Sequence, residues 1–129
     1  MRSLAIPSSL GDVADRITIL TIKSERMRDA AKLANVRKEL AEISEAFFAA
    51  VARTPEFDAL FARLKAVNEQ LWEIEDAIRL CEAKGDFGPE FIRLARSIYQ
   101  TNDLRAAIKR ELNTLLGSDL VEEKSYTAI

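Results

Sequence analysis

The sequence predicts an all-α protein, an antiparallel bundle of about four helices with a polar C-terminal tail, and three observations carry that reading. Apolar residues recur at alternating spacings of three and four along most of the chain. The seven glycines and prolines, all but Gly117, fall into three clusters: Pro7 and Gly11, Pro55, and Gly85, Gly88 and Pro89. Only one run is rich in β-branched residues, and an isolated strand with nothing to pair against is not stable. Few breakers this far apart imply few, long elements. With 129 residues, 48% of them hydrophobic, residues 1–129 read as one domain able to bury a core without disulfides or metals.

The first helix is expected at roughly 9–28, and it contains the β-branched run: five of the six residues from Ile17 to Ile22. Phase overrides propensity here. Leu10, Val13, Ile17, Leu20, Ser24 and Met27 keep the three-four spacing straight through the run, behind Ser9 as N-cap. The β-branched penalty totals about 1 to 2 kcal/mol, which burial of three isoleucines and a leucine outweighs.

A second helix follows at roughly 29–52 on Leu33, Val36, Leu40, Ile43, Phe47 and Ala50. The third, at roughly 55–84, has the cleanest seam: Phe57, Leu60, Leu64, Val67, Leu71, Ile74, Ile78 and Cys81. Thr54-Pro55 starts it as N-cap and first-turn proline, and Lys84-Gly85 ends it. The short Arg53-Thr54 connection predicts that the second and third helices are antiparallel neighbours. The fourth, at roughly 89–116, carries Phe91, Leu94, Ile98, Thr101, Arg105, Ile108, Leu112 and Leu115, two of them polar. Thr101-Asn102-Asp103 offers an alternative break and a fresh N-cap within it. A polar tail begins at Ser118.

Composition narrows the chemistry. Nineteen basic and 21 acidic side chains give a formal charge of −2, which argues against nucleic acid or an anionic membrane as partner. A single cysteine, Cys81, excludes an internal disulfide and a cysteine-based zinc site. There is no histidine, which removes Ser-His-Asp and Cys-His catalysis and the histidine-containing metal motifs. No cofactor is expected. Without a charged-then-apolar leader or an apolar run near 18 residues, the chain reads as soluble and cytoplasmic, with no membrane insertion.

Four polar sets stand out. Arg105 occupies a seam position, where a guanidinium needs an anion or must snorkel to solvent; Glu75 is the expected structural partner. Beside the third seam runs a second stripe of Phe61, Asn68, Trp72, Glu75 and Arg79, which suits a further contact surface, a satisfied hydrogen-bond network or a ligand pocket. Arg16, Lys23 and Arg26 on the first helix could join Arg79 and Arg105 around a small anion, or simply form a solvated face. Glu39-x-x-Glu42 followed by Glu73-x-x-Asp76 resembles the magnesium-holding motif of the all-helical nucleotide pyrophosphohydrolases. Against that, the gap between the pairs is long, and the seam phase turns Glu73 and Asp76 away from the core.

The stretches ITILTIKSER, LWEIEDAIR, LARSIYQTNDLRAAIKRELN and SDLVEEKSY, spanning residues 17 to 126, together resemble an uncharacterised family of small bacterial proteins, a domain of unknown function. The resemblance implies a bacterial, soluble helical protein with no assigned activity, associated with proteins of sugar transfer and surface polysaccharides, and it carries over no catalytic residues. In that family's opening motif Gly-Glu stands where this chain has Gly11-Asp12. The motifs contain Lys23, Arg26, Glu75, Arg79, Asn102 and Arg105.

Two functional expectations result. The first is a non-enzymatic protein-interaction module, a homodimer or homo-oligomer joined through the stripe around Phe61 and Trp72. The second is a small-anion-binding protein or enzyme using Arg16, Lys23, Arg26, Asn68, Glu75, Arg79, Asn102 and Arg105. The Arg105–Glu75 geometry discriminates between them: a closed pair favours architecture, and an open gap lined by further Arg and Lys favours a ligand.

Overall fold

The computed structural model describes residues 2–129 and consists of four helices without strands: α1 (Leu10–Arg26), α2 (Ala30–Ala50), α3 (Pro55–Lys84) and α4 (Pro89–Leu116). Each begins where its capping chemistry allows. The Ser9 hydroxyl accepts from the Asp12 backbone N–H, Asp29 from that of Lys32, and Thr54 from that of Phe57. α3 and α4 both open on proline, and both end on a glycine in the left-handed region, Gly85 at φ 67° and Gly117 at φ 65°.

The β-branched run is helical, and Ile17, Thr18, Leu20 and Ile22 are buried. α4 runs unbroken through Thr101-Asn102-Asp103, so Arg105 keeps its seam phase. That seam ends one residue off its expected line: Leu115 is 43% exposed, and Leu116 packs against the core instead.

The helices form two hairpins. α3 and α4 are the long antiparallel pair, and α1 is the hub, touching α2, α3 and α4. Asp15 meets α3 at Asn68, yet Glu25, ten residues further along α1, meets it at Lys65. α1 therefore crosses α3 and does not run along it, since ten helical residues advance about 15 Å. This overturns the expected lengthwise pairing of α2 with α3, for no α2 Cα comes within 8 Å of an α3 Cα. The short connection fixes only the ends of the two helices, and α2, folded back along α1, is carried away from α3.

Where α2 and α3 do meet, Phe47 and Phe48 pack on Phe57, and Phe48 also on Phe61, with ring centroids 5.9 to 6.2 Å apart. The Arg53 guanidinium lies 4.8 Å from the Phe48 ring centroid and covers the cluster. Phe57, Leu64 and Leu112 are fully buried in this base, where burial of each contributes about 1.5 to 3 kcal/mol. Outward from Leu71 on α3 and Ile98 on α4 the hairpin projects as a two-helix arm. Between residues 71 and 98 Leu94 is the one buried hydrophobic side chain, while Leu80, Phe87 and Ile92 are exposed.

The tail beyond Gly117 is non-helical and mostly exposed, but it is tied back to α4 by Lys109 to Glu122 (2.9 Å) and Arg110 to Glu123 (2.7 Å). Among the described residues no helix is long and apolar enough to cross a membrane.

Candidate functional site: a groove between α1 and the hairpin

The inside corner where α1 crosses the hairpin holds an open groove of about 440 Å³. Ile19, Ile22, Leu71 and Trp72 give it an apolar lining; Lys23, Asn68, Glu75, Asp76, Arg79 and Arg105 supply the polar groups. Three helices contribute. The arrangement, apolar walls with a few polar groups, is that of ligand sites in general.

A buried polar network lies beneath the groove. Asp15, its side chain only 7% exposed, receives both the Nε (2.9 Å) and the Nη2 of Arg105 in a two-pronged pair. Asn68 Nδ2 donates to Asp15 Oδ1 (2.9 Å) and to Thr18 Oγ1 (2.8 Å), and the Thr18 hydroxyl donates to the Asp15 backbone carbonyl (2.7 Å). The hydrogen bond to Asp15 holds the Arg105 guanidinium above its ordinary pKa, more than offsetting its partial burial. Arg105 is thus a permanently charged wall of the groove, already partnered from below.

This network depends on a close approach of α1 to α4. A Cβ on Gly11 would stand 2.6 Å from the Lys109 carbonyl oxygen, and the Gly11 N–H donates to Asn113 Oδ1 at 2.7 Å. Only glycine lets the two helices come together there. Beside it, Lys109, 12% exposed, bridges Asp12 (2.8 Å) and the tail's Glu122 (2.9 Å). Burial pushes the Lys109 ammonium down, but bonding to Asp12 and Glu122 leaves it above its ordinary value. Burial likewise pushes Asp12 up, and the Lys109 ammonium beside it leaves it below its ordinary value.

Arg105 closes on Asp15; Glu75 instead pairs with Arg79 one turn along α3, at 3.3 Å. The structural partner expected for Arg105 was therefore the wrong acid. Asp15 does not stand out by periodicity because it lies beside the Leu10–Val13–Ile17–Leu20 seam. A second stripe on the same helix, Gly11, Ala14, Asp15, Thr18 and Ile22, marks the buried flank and could have flagged it.

Of the candidate anion-binding set, Lys23, Asn68, Glu75, Arg79 and Arg105 line the one groove. Arg16, Arg26 and Asn102 do not. Arg16 is bonded to Glu39 of α2. Arg26 stands 3.5 Å from both Glu69 and Glu73, its guanidinium 6.0 Å from the Trp72 ring centroid. Asn102 is half-buried on α4, next to buried Thr101. The two aromatic residues of the α3 stripe part company: Trp72 lines the groove, whereas Phe61 stacks on Phe57 (5.1 Å) at the base. The four carboxylates of the metal-type motif are dispersed, with Glu39 on Arg16, Glu42 exposed on α2, Glu73 beside Arg26 and Asp76 in the groove. Among the described residues no group of three or more acids or cysteines could hold a metal ion.

Residues 4–129 match the model of a family described as a family of unknown function, DUF6165. No curated protein and no solved structure matches the chain.

Proposed function

The chain belongs to the DUF6165 family, whose function is unknown, and we propose that it is a binding protein that holds a small, partly apolar ligand with an anionic group in the groove between α1 and the hairpin. The observation that carries this reading is the meeting of Lys23, Arg79 and Arg105 around Trp72 and Leu71 on one concave surface. Binding is favoured over catalysis because both guanidiniums are already held, Arg105 by Asp15 and Arg79 by Glu75. Arg105 presents a fixed positive edge and Arg79 an exposed one, and the ligand's apolar body covers the indole. The resemblance to small bacterial proteins adds the bacterial cytoplasm as the setting and surface-polysaccharide metabolism as the connection.

Trp72 is the only tryptophan, so its emission reads the groove directly. Titration with apolar carboxylates such as phenylacetate and hexanoate should give a saturable change, weakened about tenfold or more in Lys23→Gln by loss of one charge-assisted hydrogen bond. No saturable change with any apolar carboxylate or zwitterion would overturn the proposal.

A second reading, self-association into a homodimer, is favoured by the arm, where Leu80, Phe87, Ile92 and Tyr99 are exposed. Ile92 and Tyr99, seven residues apart, share one face of α4. Sedimentation of the native chain should then give a species above monomer mass, and Ile92→Glu with Tyr99→Glu should return it to monomer. A native chain that sediments as a monomer at high concentration would remove this reading.

A further inference from the structure

The charges around the groove divide into those satisfied inside the protein and those that are not. Arg105 is bonded to Asp15, and Arg79 to Glu75. Lys23 and Asp76, the two other charged residues of the lining, make no ion pair and no side-chain hydrogen bond among the described residues. They have opposite signs and stand on different walls, Lys23 on α1 and Asp76 on α3. Lys23 is half-buried and has given up part of its hydration without gaining a counter-ion.

Taken with its floor, the site is formally neutral: Lys23, Arg79 and Arg105 are matched by Asp15, Glu75 and Asp76. An anionic ligand would meet Lys23 and leave Asp76 unmatched, and a cationic one the reverse, whereas a neutral ligand with two charged poles answers both. Resting on the groove as the binding site, we infer that its ligand is a zwitterion of the amino-acid type. The carboxylate faces Lys23, the ammonium faces Asp76, and an apolar side chain lies on Leu71 and Trp72. A free amino acid and a short peptide with both termini free share this chemistry and differ only in the separation of the poles.

The test follows Trp72 emission of the full chain against four probes: phenylalanine, the dipeptide leucyl-phenylalanine, N-acetylphenylalanine and phenylalaninamide. At least one of the first two should saturate, with both capped compounds about tenfold weaker or more, as expected for the loss of one charge-assisted contact each. If phenylalanine is the tighter, the ligand is a free amino acid; if the dipeptide, a peptide. In Lys23→Gln the amide should bind as well as phenylalanine, and in Asp76→Asn the N-acetyl compound should. Neither residue has a partner among the described residues, so both variants should keep the native circular dichroism spectrum and melting temperature. N-acetylphenylalanine binding as tightly as the zwitterions would overturn the inference while leaving the groove as a site for apolar anions. If none of the four probes alters the emission but phenylacetate does, the zwitterion is likewise overturned and the binding site stands. Silence from every probe and every apolar carboxylate overturns both.

Discussion

The α3–α4 hairpin is built on one continuous seam, yet its two ends differ in what lies against them. At the base, Phe57, Leu64, Ile108 and Leu112 are buried beneath α1 and the phenylalanines of α2. In the arm, Leu71, Ile74, Ile78, Cys81 and Phe91 keep the same spacing but are only half-buried, because two helices alone cannot enclose a seam. Spacing dictates that a helix forms and which face turns inward, and a third element decides whether that face becomes core. The groove sits at the boundary between the two regimes, where α1 passes off the hairpin and leaves an apolar surface half covered.

This contrast can be broken by substitution. Phe57→Ala at the base should cost about 3 to 5 kcal/mol of stability in chemical denaturation, against about 1 to 2 for Ile78→Ala in the arm. Equal losses would mean that something covers the arm in solution. Asp15→Asn should cost about 3 kcal/mol, somewhat less than a fully enclosed pair because Arg105 is 29% exposed. The double variant Asp15→Leu with Arg105→Leu should lose less than either single one, since no charge is stranded. Gly11→Ala should cost about 1 to 3 kcal/mol by pushing α1 from the Lys109 carbonyl. Leu80→Ala, at an exposed arm position, should stay within about 0.5 kcal/mol.

A small effect is also expected from the pH dependence of the tail clasp. Asp12 sits below its ordinary value of 3.8, so its contribution is complete above that pH and is lost as pH falls through the lowered value. Lys109 sits above its ordinary 10.5, so its contribution is complete below that pH and is lost as pH rises through the raised value. Stability measured by urea denaturation should therefore decline towards both extremes. In Asp12→Asn the acid-side slope should be shallower. Since Asp12 and Glu122 are more than a third exposed, the change should stay under about 1 kcal/mol.

How much of this was readable in the sequence follows the same division. The four helices were legible because three-four spacing, caps and breakers agree with one another, even across Ile17 to Ile22, where propensity points to a strand. The α3 side of the groove was legible too: Asn68, Trp72, Glu75 and Arg79 share one flank of a single helix, and periodicity alone shows it. What could not be read were relations between helices. The identity of Arg105's partner depends on how closely α1 approaches α4, and that distance is set by the missing side chain of Gly11. The exclusion of Arg16 and Arg26 depends on the crossing of α1 over α3, which hands them to Glu39 on α2 and to Glu69 and Glu73 on α3. The placement of α2 failed for a related reason, because a short loop constrains the ends of two helices but not the angle between them.

The pairing of Asp15 with Arg105 also bears on how the chain assembles. The two residues are 90 positions apart, and Gly11 and Asn113 are 102 apart, whereas the α3–α4 hairpin needs only neighbours joined by a four-residue turn. On a ribosome, α1 emerges before α4 and carries its acidic, β-branched flank without the one guanidinium that neutralises it until α4 has been made. The hairpin can form locally and fast, but the groove's floor closes only when the two ends of the chain meet. Refolding followed by Trp72 should therefore lag behind the appearance of helix, and the slow step should be the one in which Asp15 finds its partner.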